Sequence, residues 1–476
     1  MVKPKFNNKL CNDKMTFEDC QLAVLRHAVD VTEEKQGIAK VNNADVKKML
    51  TIVEDFIRKK KLICYGGTAI NNILPKFAQF YKKDIQLPDY DFFSANPIDD
   101  SKELADIYHK NGYTDVEAKS GLHFGTFKVF VNFIPIADIT FLHPEIYNSI
   151  SKDVIKINGL HYAPPNFLRM SMYLELSRPD GDVSRWEKIL KRLSLLNKHH
   201  PLKVENCDKV KMNKSKNLNG ELNNVLKNAL IDNGVVFFGG YSTQLYSKYM
   251  PENISDSVKN IPNFDVLSED PSHCADIITE KLKDEGFKKI KVIHHEEIGE
   301  IIPEHYEITI DGNSHVFIYK PIACHSYNKI QIDGKEIHIA TIETILSFYL
   351  AFLYTNISSY DKNRLLCLSK YLFDVIEKNK LTDRGILKRF TITCYGNQKS
   401  LEDIRSEKAN KFKEFKDLQV DFNSKDYQMW FLKYVPGSSA NIKSPLKKKN
   451  NKTKKRTTAS IIKSKTRRNN LHDYLF

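Results

Sequence analysis

The chain repeats itself. CYGGTAINNILPKF at Cys64 returns as FFGGYSTQLYSKYM at Phe237, and LPDYDFFSANP at Leu87 returns as IPNFDVLSEDP at Ile261. KNGY at Lys110 matches DEGF at Asp284, and KINGLHY at Lys156 matches QIDGKEI at Gln331. The offset creeps only from 173 to 175 residues across these four pairs. One such match carries little weight, but four in the same order at nearly constant spacing predict a duplicated unit whose copies share a fold. With 476 residues there is ample chain for two lobes and their cores.

The local signals fill in an α/β (α+β) organisation. Thr16 with Asp19 reads as a helix start, and FEDCQLAVLRHAV continues in helical rhythm. A second helix follows Asn43, with Val46, Leu50, Val53 and Ile57 on one stripe. LICY reads as a strand that ends at Gly66 and Gly67. The lysine-rich, polar segment from Lys203 to Asn219 reads as a linker. The expected layout is an N-terminal helical region at 1–60, a first lobe at 61–200 and a linker at 201–232. A degenerate second lobe at 233–395, a C-terminal helical extension at 396–440 and a basic flexible tail at 441–476 follow.

Composition sharpens this outline. From Tyr427 to Phe476 there are 13 lysines or arginines against one acid, Asp473. That segment therefore carries nearly all of the +14 net charge, and the body is close to neutral. Such a tail cannot bury enough apolar surface to fold alone, and it suits phosphate neutralisation, a localisation signal or no more than a solvated flexible end. MVKPKFNNKL turns polar at once, unlike a signal segment. The most apolar run, IATIETILSFYLAFLY from Ile339, carries Glu343 and several hydroxyls, which predicts a buried helix and no membrane span. The eight cysteines show no paired spacing, which fits a reducing compartment and argues against structural zinc.

The copies differ where chemistry would sit. Asp89 becomes Asn263, Asp91 keeps Asp265, and the region of FIPIADITF holding Asp138 corresponds to HVFIYKPIAC, with Tyr319 and no carboxylate. In a strand, alternate side chains share a face, so Asp89 and Asp91 point the same way. Two carboxylates this close repel unless a divalent cation lies between them, and Asp138, in another strand-like run, can supply a third ligand if the strands are neighbours. An all-oxygen ligand set with open positions suits Mg2+ or Mn2+. Gly66 and Gly67 let backbone approach a phosphate, and TAINNIL, being helix-capable, aims its first N–H groups at the same spot. Thr68 adds a hydroxyl. Arg178, Arg185 and Lys188 in SRPDGDVSRWEKILKRL are candidates for triphosphate or RNA phosphates. Each feature also has a plain reading: solvated strand-end aspartates, a tight turn, a basic helix face. Tyr162 and Tyr173 read as core residues before adenine-stacking ones, and His123, His143 and His161 lack catalytic or zinc spacing.

Together Gly66, Gly67, Asp89, Asp91 and Asp138 resemble the signature of polymerase-beta-like nucleotidyltransferases. The wording YGGTAIN, LPDYDFFS and ELSRPDGDVSRWEKILKRLSLLN resembles the poly(A) polymerase catalytic subunits of large cytoplasmic DNA viruses, namely mimivirus-like, asfarvirus and, more distantly, poxvirus enzymes. The match is good over about residues 60 to 200, loose over the second copy and absent from the tail. Twenty-one residues separate Gly67 from Asp89, more than in most of the broad superfamily. The resemblance implies template-independent addition of AMP from ATP to RNA 3′ ends with two metal ions. All three aspartates would hold one ion, and Asp89 with Asp91 the other. It implies two nucleotidyltransferase-like lobes, only the first catalytic. The expected partners are the RNA 3′ end and ATP, with a homodimer or a separate processivity subunit as further expectations and no membrane. The expected location is the host cytoplasm, in the viral factory, with packaging in the virion as a variant. The competing functions are a terminal uridylyl or CCA-type transferase and a catalytically idle RNA-binding scaffold.

Overall fold

Two N-terminal helices start at the caps their sequence offers. In the computed structural model, which describes residues 10–12, 14–82, 84–204, 207, 220–250, 263–357 and 360–438, Thr16 and Asp19 form a reciprocal capping box at the start of α1 (Phe17–Asn42). Asn43 caps α2 (Ala44–Lys60) by accepting from the amides of Asp45 and Val46. The stripe of α2 is buried at Val46, Val53 and Ile57, with Met49 and Phe56 beside them, whereas no residue of α1 is buried. The chain divides into a compact unit, Met1–Ser438, and a second segment, Ser439–Phe476. That second segment lies outside the described residues, and with it the basic tail, as do Ile261 and Pro262 of the repeat.

The first sheet comprises β1 (Ile63–Cys64), β2 (Tyr90–Ser94), β3 (Val116–Ser120), β4 (Thr126–Val131), β5 (Ile134–Phe141), β6 (Ile155–Ile157), β7 (Leu160–Tyr162) and, from the C-terminal region, β16 (Lys433–Tyr434). Its order is β16-β3-β4-β5-β2-β1-β7-β6. The second comprises β8 (Val236–Phe237), β9 (Phe264–Leu267), β10 (Ile290–His295), β11 (His305–Ile310), β12 (Asn313–Tyr319), β13 (His325–Ile332), β14 (Lys335–Ala340) and β15 (Cys394–Tyr395), ordered β10-β11-β12-β9-β8-β14-β13-β15. From β3 to β6 and from β10 to β13 the order is the same. So is the sense of each pairing: β1/β2 and β8/β9 are antiparallel, while β2/β5 and β9/β12, and β1/β7 and β8/β14, are parallel. Even the turns correspond. Asn158-Gly159 and Asp333-Gly334 both take two left-handed residues, with φ of 51° and 78° in the first and 52° and 78° in the second, as two-residue hairpins of right-handed twist require. The duplication is a structural fact.

The helices are α3 (Gly66–Ile73), α4 (Pro97–Lys110), α5 (Pro144–Ser151), α6 (Pro165–Leu176) and α7 (Trp186–His199) in the first half. The second half has α8 (Gly220–Asp232), α9 (Gly240–Tyr246), α10 (Pro271–Asp284), α11 (Ile342–Phe352) and α12 (Lys362–Lys378), and then α13 (Leu401–Asp417) and α14 (Lys425–Phe431) follow. α2 and α4 cover one face of the first sheet. There Ala118, Phe127, Val129, Ala137, Phe92 and Ile139 are buried. The alternate residues Thr126, Lys128 and Phe130 of β4 stay partly exposed on the opposite face. α6 lies along α11, every residue of which is buried, as the apolar run from Ile339 predicts. The Phe167 and Tyr354 rings meet edge-on at 5.3 Å, and the Ser326 amide donates to the Ser177 carbonyl at 2.8 Å. Among the described residues no helix is long and apolar enough to cross a membrane.

Three expectations change. Residues 220–232, expected as linker, form α8, which buries Leu222, Leu226, Ala229 and Leu230; its asparagines and lysine hide that apolar i, i+4 stripe. The C-terminal segment at 396–440 is not only helical, because β16 joins the first sheet beside β3. The cysteines do have a framework: Cys11–Cys20, Cys207–Cys367 and Cys324–Cys394 are disulfide-bonded, and Cys64 and Cys274 are free and buried. Separations of 160 and 70 residues are set by the fold and leave no spacing to read.

Candidate functional site

β1 ends at Cys64 and the chain turns through Tyr65 into α3. The Tyr65 amide donates to the Asp91 carbonyl at 2.9 Å, and no side chain caps the helix. The first-turn amides of α3 are therefore left for a ligand. Gly66 has a left-handed backbone, φ 69°, and a Cβ there would lie 2.7 Å from Asp91 Oδ2. A Cβ on Gly67 would lie 2.4 Å from the Tyr81 hydroxyl and 2.9 Å from Arg192 Nη1. Both glycines are thus fixed by close approach to the site's own side chains. Thr68 is 4% exposed, and its hydroxyl has no partner among the described residues.

The carboxylates are placed by strand register. β2 and β5 run parallel, and Asp91 stands directly opposite Asp138. Asp89 precedes Asp91 by two residues, and its carbonyl accepts the Asp91 amide at 3.3 Å. Burial, then the charges of Asp89 and Asp138, push the Asp91 carboxyl up to about 7. Asp89 is raised too, by burial and then by Asp138. These are the signs expected of carboxylates gathered at one point without a cation between them. Lys128 on β4, opposite Asp138 in register, forms an ion pair with it.

A basic rim faces the acids. Arg185 ends a short 3₁₀ turn, and Lys188 and Arg192 follow on α7 at i+3 and i+7, which puts the three on one side. The charge of Arg185 acts on Asp91 and that of Lys188 on Asp89. Lys188 is itself held below its ordinary value, first by Arg192, then by burial and Arg185. Arg192 donates to the Tyr81 hydroxyl at 2.8 Å and lies over the Phe80 and Tyr81 rings.

The fold thus gathers Gly66, Gly67, Thr68, Asp89, Asp91, Asp138, Arg185 and Lys188. Arg178 does not join them. Two residues beyond the end of α6, it turns toward Glu175 and Glu300 at the junction with the second half, and burial lowers its pKa. The charge-rich segment holding it is broken by the turn at Arg178–Gly181, and only the part from Arg185 onward faces the carboxylates. Tyr162 and Tyr173 are core residues, 2% and 1% exposed. His143 caps α5 by accepting the Glu145 amide. Lys128, Tyr81 and Arg192 escaped the sequence reading. The first two gave no motif, but Arg192 continues the i, i+3, i+7 face of Arg185 and Lys188.

In the second sheet the residue opposite Asp265 is Phe317, not Tyr319. Asp265 is buried and accepts from the Tyr360 hydroxyl at 2.7 Å and from Asn263 Nδ2 at 3.3 Å. Tyr360 and Tyr319 share a hydrogen bond of 2.6 Å. The glycine contact persists, since a Cβ on Gly239 would collide with Asp265 Oδ2. One carboxylate among aromatic rings holds no metal cage.

Residues 51–182 match the family model described as "Poly(A) polymerase catalytic subunit". The resemblance read from the sequence therefore holds over the segment that carries the three aspartates. A "Putative poly(A) polymerase catalytic subunit" of African swine fever virus is 33% identical over 169 residues, 34% of this chain and 35% of that protein. A protein of the same name from Acanthamoeba polyphaga mimivirus is 32% identical over 168 residues, 34% of this chain and 28% of that protein. The chain spans about a third of the length of these curated relatives. The crystal structure of the Megavirus polyadenylate synthase superposes with a TM-score of 0.76 at 18% identity, covering 92% of this chain and 90% of that one. The whole architecture, both sheets included, is thus a known fold.

Proposed function

We propose that this chain is an RNA nucleotidyltransferase that adds AMP from ATP to RNA 3′ ends without a template. The observation that carries the reading is the register pair Asp91–Asp138, flanked by Asp89, facing the uncapped start of α3 and the basic side of α7. Acids on one side and phosphate donors on the other suit a triphosphate held at the point where its charge must be neutralised. The raised carboxyls of Asp89 and Asp91 fit a divalent cation, Mg2+ or Mn2+, as does the all-oxygen donor set. When bound, two such ions supply activation of the primer hydroxyl and stabilisation of the departing pyrophosphate, with Asp89, Asp91 and Asp138 as their ligands. The chain's own groups orient the nucleotide. The α3 amides and Arg185, Lys188 and Arg192 bind the triphosphate, and Gly66 and Gly67 leave room for it. Lys128 pairs with Asp138 and balances its charge within the acidic cluster.

Incubation with a labelled RNA primer, magnesium and each NTP separately tests this. Extension with ATP alone is the expected result. Extension with UTP or CTP in its place would move the chain to the uridylyl or CCA-type class. No extension with any NTP, while the RNA still binds, would leave the idle scaffold.

A further inference from the structure

Cross-strand register sets five side chains in one row across the first sheet: Asp91 on β2, Asp138 on β5, Lys128 on β4, Lys119 on β3 and Lys433 on β16. Residues paired in register share a face. The row lies on the face that α2 and α4 leave open, since the adjoining row Ala137, Val129, Ala118 is buried on the other side. Side-chain exposure rises outward, from 22% at Asp138 through 38% at Lys128 to 43% at Lys119, and Lys433 is exposed. Neighbouring strands lie about 4.8 Å apart, so the lysines reach roughly 14 Å from Asp138 to the sheet edge. Lys119 bonds Glu117 at 3.0 Å and sits 4.3 Å from the Phe130 ring centre. A pair this exposed is weak and gives way to a phosphate at little cost.

The duplicated sheet is an internal control. Its corresponding row, by the same register, reads Asp265, Phe317, Glu307, Ile293, with no cation. A charge row that merely kept a strand soluble would have no reason to appear only beside the carboxylates. Its outer end is also the strand that leads, five residues later, into the lysine-rich segment 439–476.

We propose that Lys128, Lys119 and Lys433 form the track that holds the phosphates of the last few nucleotides of single-stranded RNA, delivering its 3′ end to Asp138. This rests on the nucleotidyltransferase reading above. Binding of this kind is electrostatic and independent of sequence, and each lysine that neutralises a phosphate adds about 0.7 to the slope of log affinity against log salt.

The test uses the full chain carrying Lys119→Gln and Lys433→Gln together. Both side chains are exposed enough for the fold to tolerate the change, and the charge-keeping Lys119→Arg, Lys433→Arg pair guards against misfolding. Fluorescence anisotropy with a labelled oligoadenylate, from about 50 to 200 mM salt, should give a slope shallower by about 1.4 for the glutamine pair. The arginine pair should restore it, and MgATP affinity should not move. Lys289→Gln with Lys291→Gln, on the edge of the second sheet, should leave the slope unchanged. An unaltered slope for the first pair overturns the track. So does an equal loss from both glutamine pairs, which would mean diffuse surface attraction. Primer extension separates this from the parent reading: the predicted slope change in the glutamine pair, with no nucleotide incorporated by the wild-type chain, sinks the enzyme and keeps the track. Normal extension with no slope change does the reverse.

Discussion

Replacing Asp91 with asparagine should destroy nucleotide addition and yet stabilise the metal-free protein. The carboxyl is raised from 3.8 to about 7 by burial and by Asp89 and Asp138. A displacement of that size corresponds to roughly 4 kcal/mol, the ceiling on what ionised Asp91 costs the lobe when no cation is present. Lys128 and Arg185 can swing toward the charge, and water reaches the open face, so the net gain from asparagine should be about 1–2 kcal/mol. The sign follows from the direction of the shift. A carboxyl whose folded pKa is raised favours folding while it stays protonated, so its contribution is full below pH 3.8 and drains away as pH rises through about 7. In EDTA at pH 8, urea unfolding should therefore show Asp91→Asn more stable than wild type, and near pH 4 the two should coincide. Magnesium should reverse the order at pH 8, because only the wild type gains binding free energy. An asparagine variant less stable than wild type at pH 8 in EDTA, or a stability gap independent of pH, would refute the crowded-carboxylate account. Near-normal primer extension by the variant would refute the metal role.

Gly67→Ala should raise the KM for ATP sharply, because its Cβ meets the Tyr81 hydroxyl and Arg192; unchanged kinetics would show that those groups give way freely. Asp265→Asn should leave the rate of addition within about twofold, its partners being Tyr360 and Asn263; an inactive but stable variant would mean a second site. Phe133 is 85% exposed with a φ of 64°, where the second copy has Gly312, so Phe133→Gly should stabilise by about 1 kcal/mol, and a lower unfolding midpoint would count against it. Deleting Lys443 to Phe476 should flatten the salt dependence of RNA binding and spare addition of the first nucleotide at saturating primer. Identical slopes for both chains would remove the tail from RNA binding.

How much of this was legible beforehand follows physical lines. The duplication was readable because turns and glycines are local demands. Asn158-Gly159 and Asp333-Gly334 need left-handed backbone, and Gly66 and Gly239 both make room for the aspartate that follows them. The carboxylates were readable because alternation puts Asp89 and Asp91 on one side. The partner of Asp265 was not: choosing Phe317 over Tyr319 needs the register of a parallel pair, and a shift of two residues leaves the hydrophobic pattern intact. Arg178 and Arg185 look alike in one basic run, and only the turn at Arg178–Gly181 separates the residue that turns away from the one that faces the acids. The lysine row was invisible for the same reason as Phe317, since its members come from strands up to 314 residues apart.

The decay of the second copy has a physical direction. In the first sheet the face bearing Asp91 is left open by α2 and α4, and its register partners are charged. In the second the same face is closed, with Asp265 at 5% exposure and Phe317, Tyr319, Phe352 and Tyr360 packed ring against ring beside it. Three unpaired carboxylates under that cover would each suffer desolvation without a cation to offset it, so a single carboxylate is the more stable arrangement there. α11, which follows β14 as α6 follows β7, is buried along its whole length and packs against α6. α6 leads within ten residues into α7, and α7 carries Lys188 and Arg192 to the carboxylates of the other lobe. The second copy therefore bears on the candidate site through this packing: α11 lies against the helix that leads into α7, from which Lys188 projects toward the carboxylates.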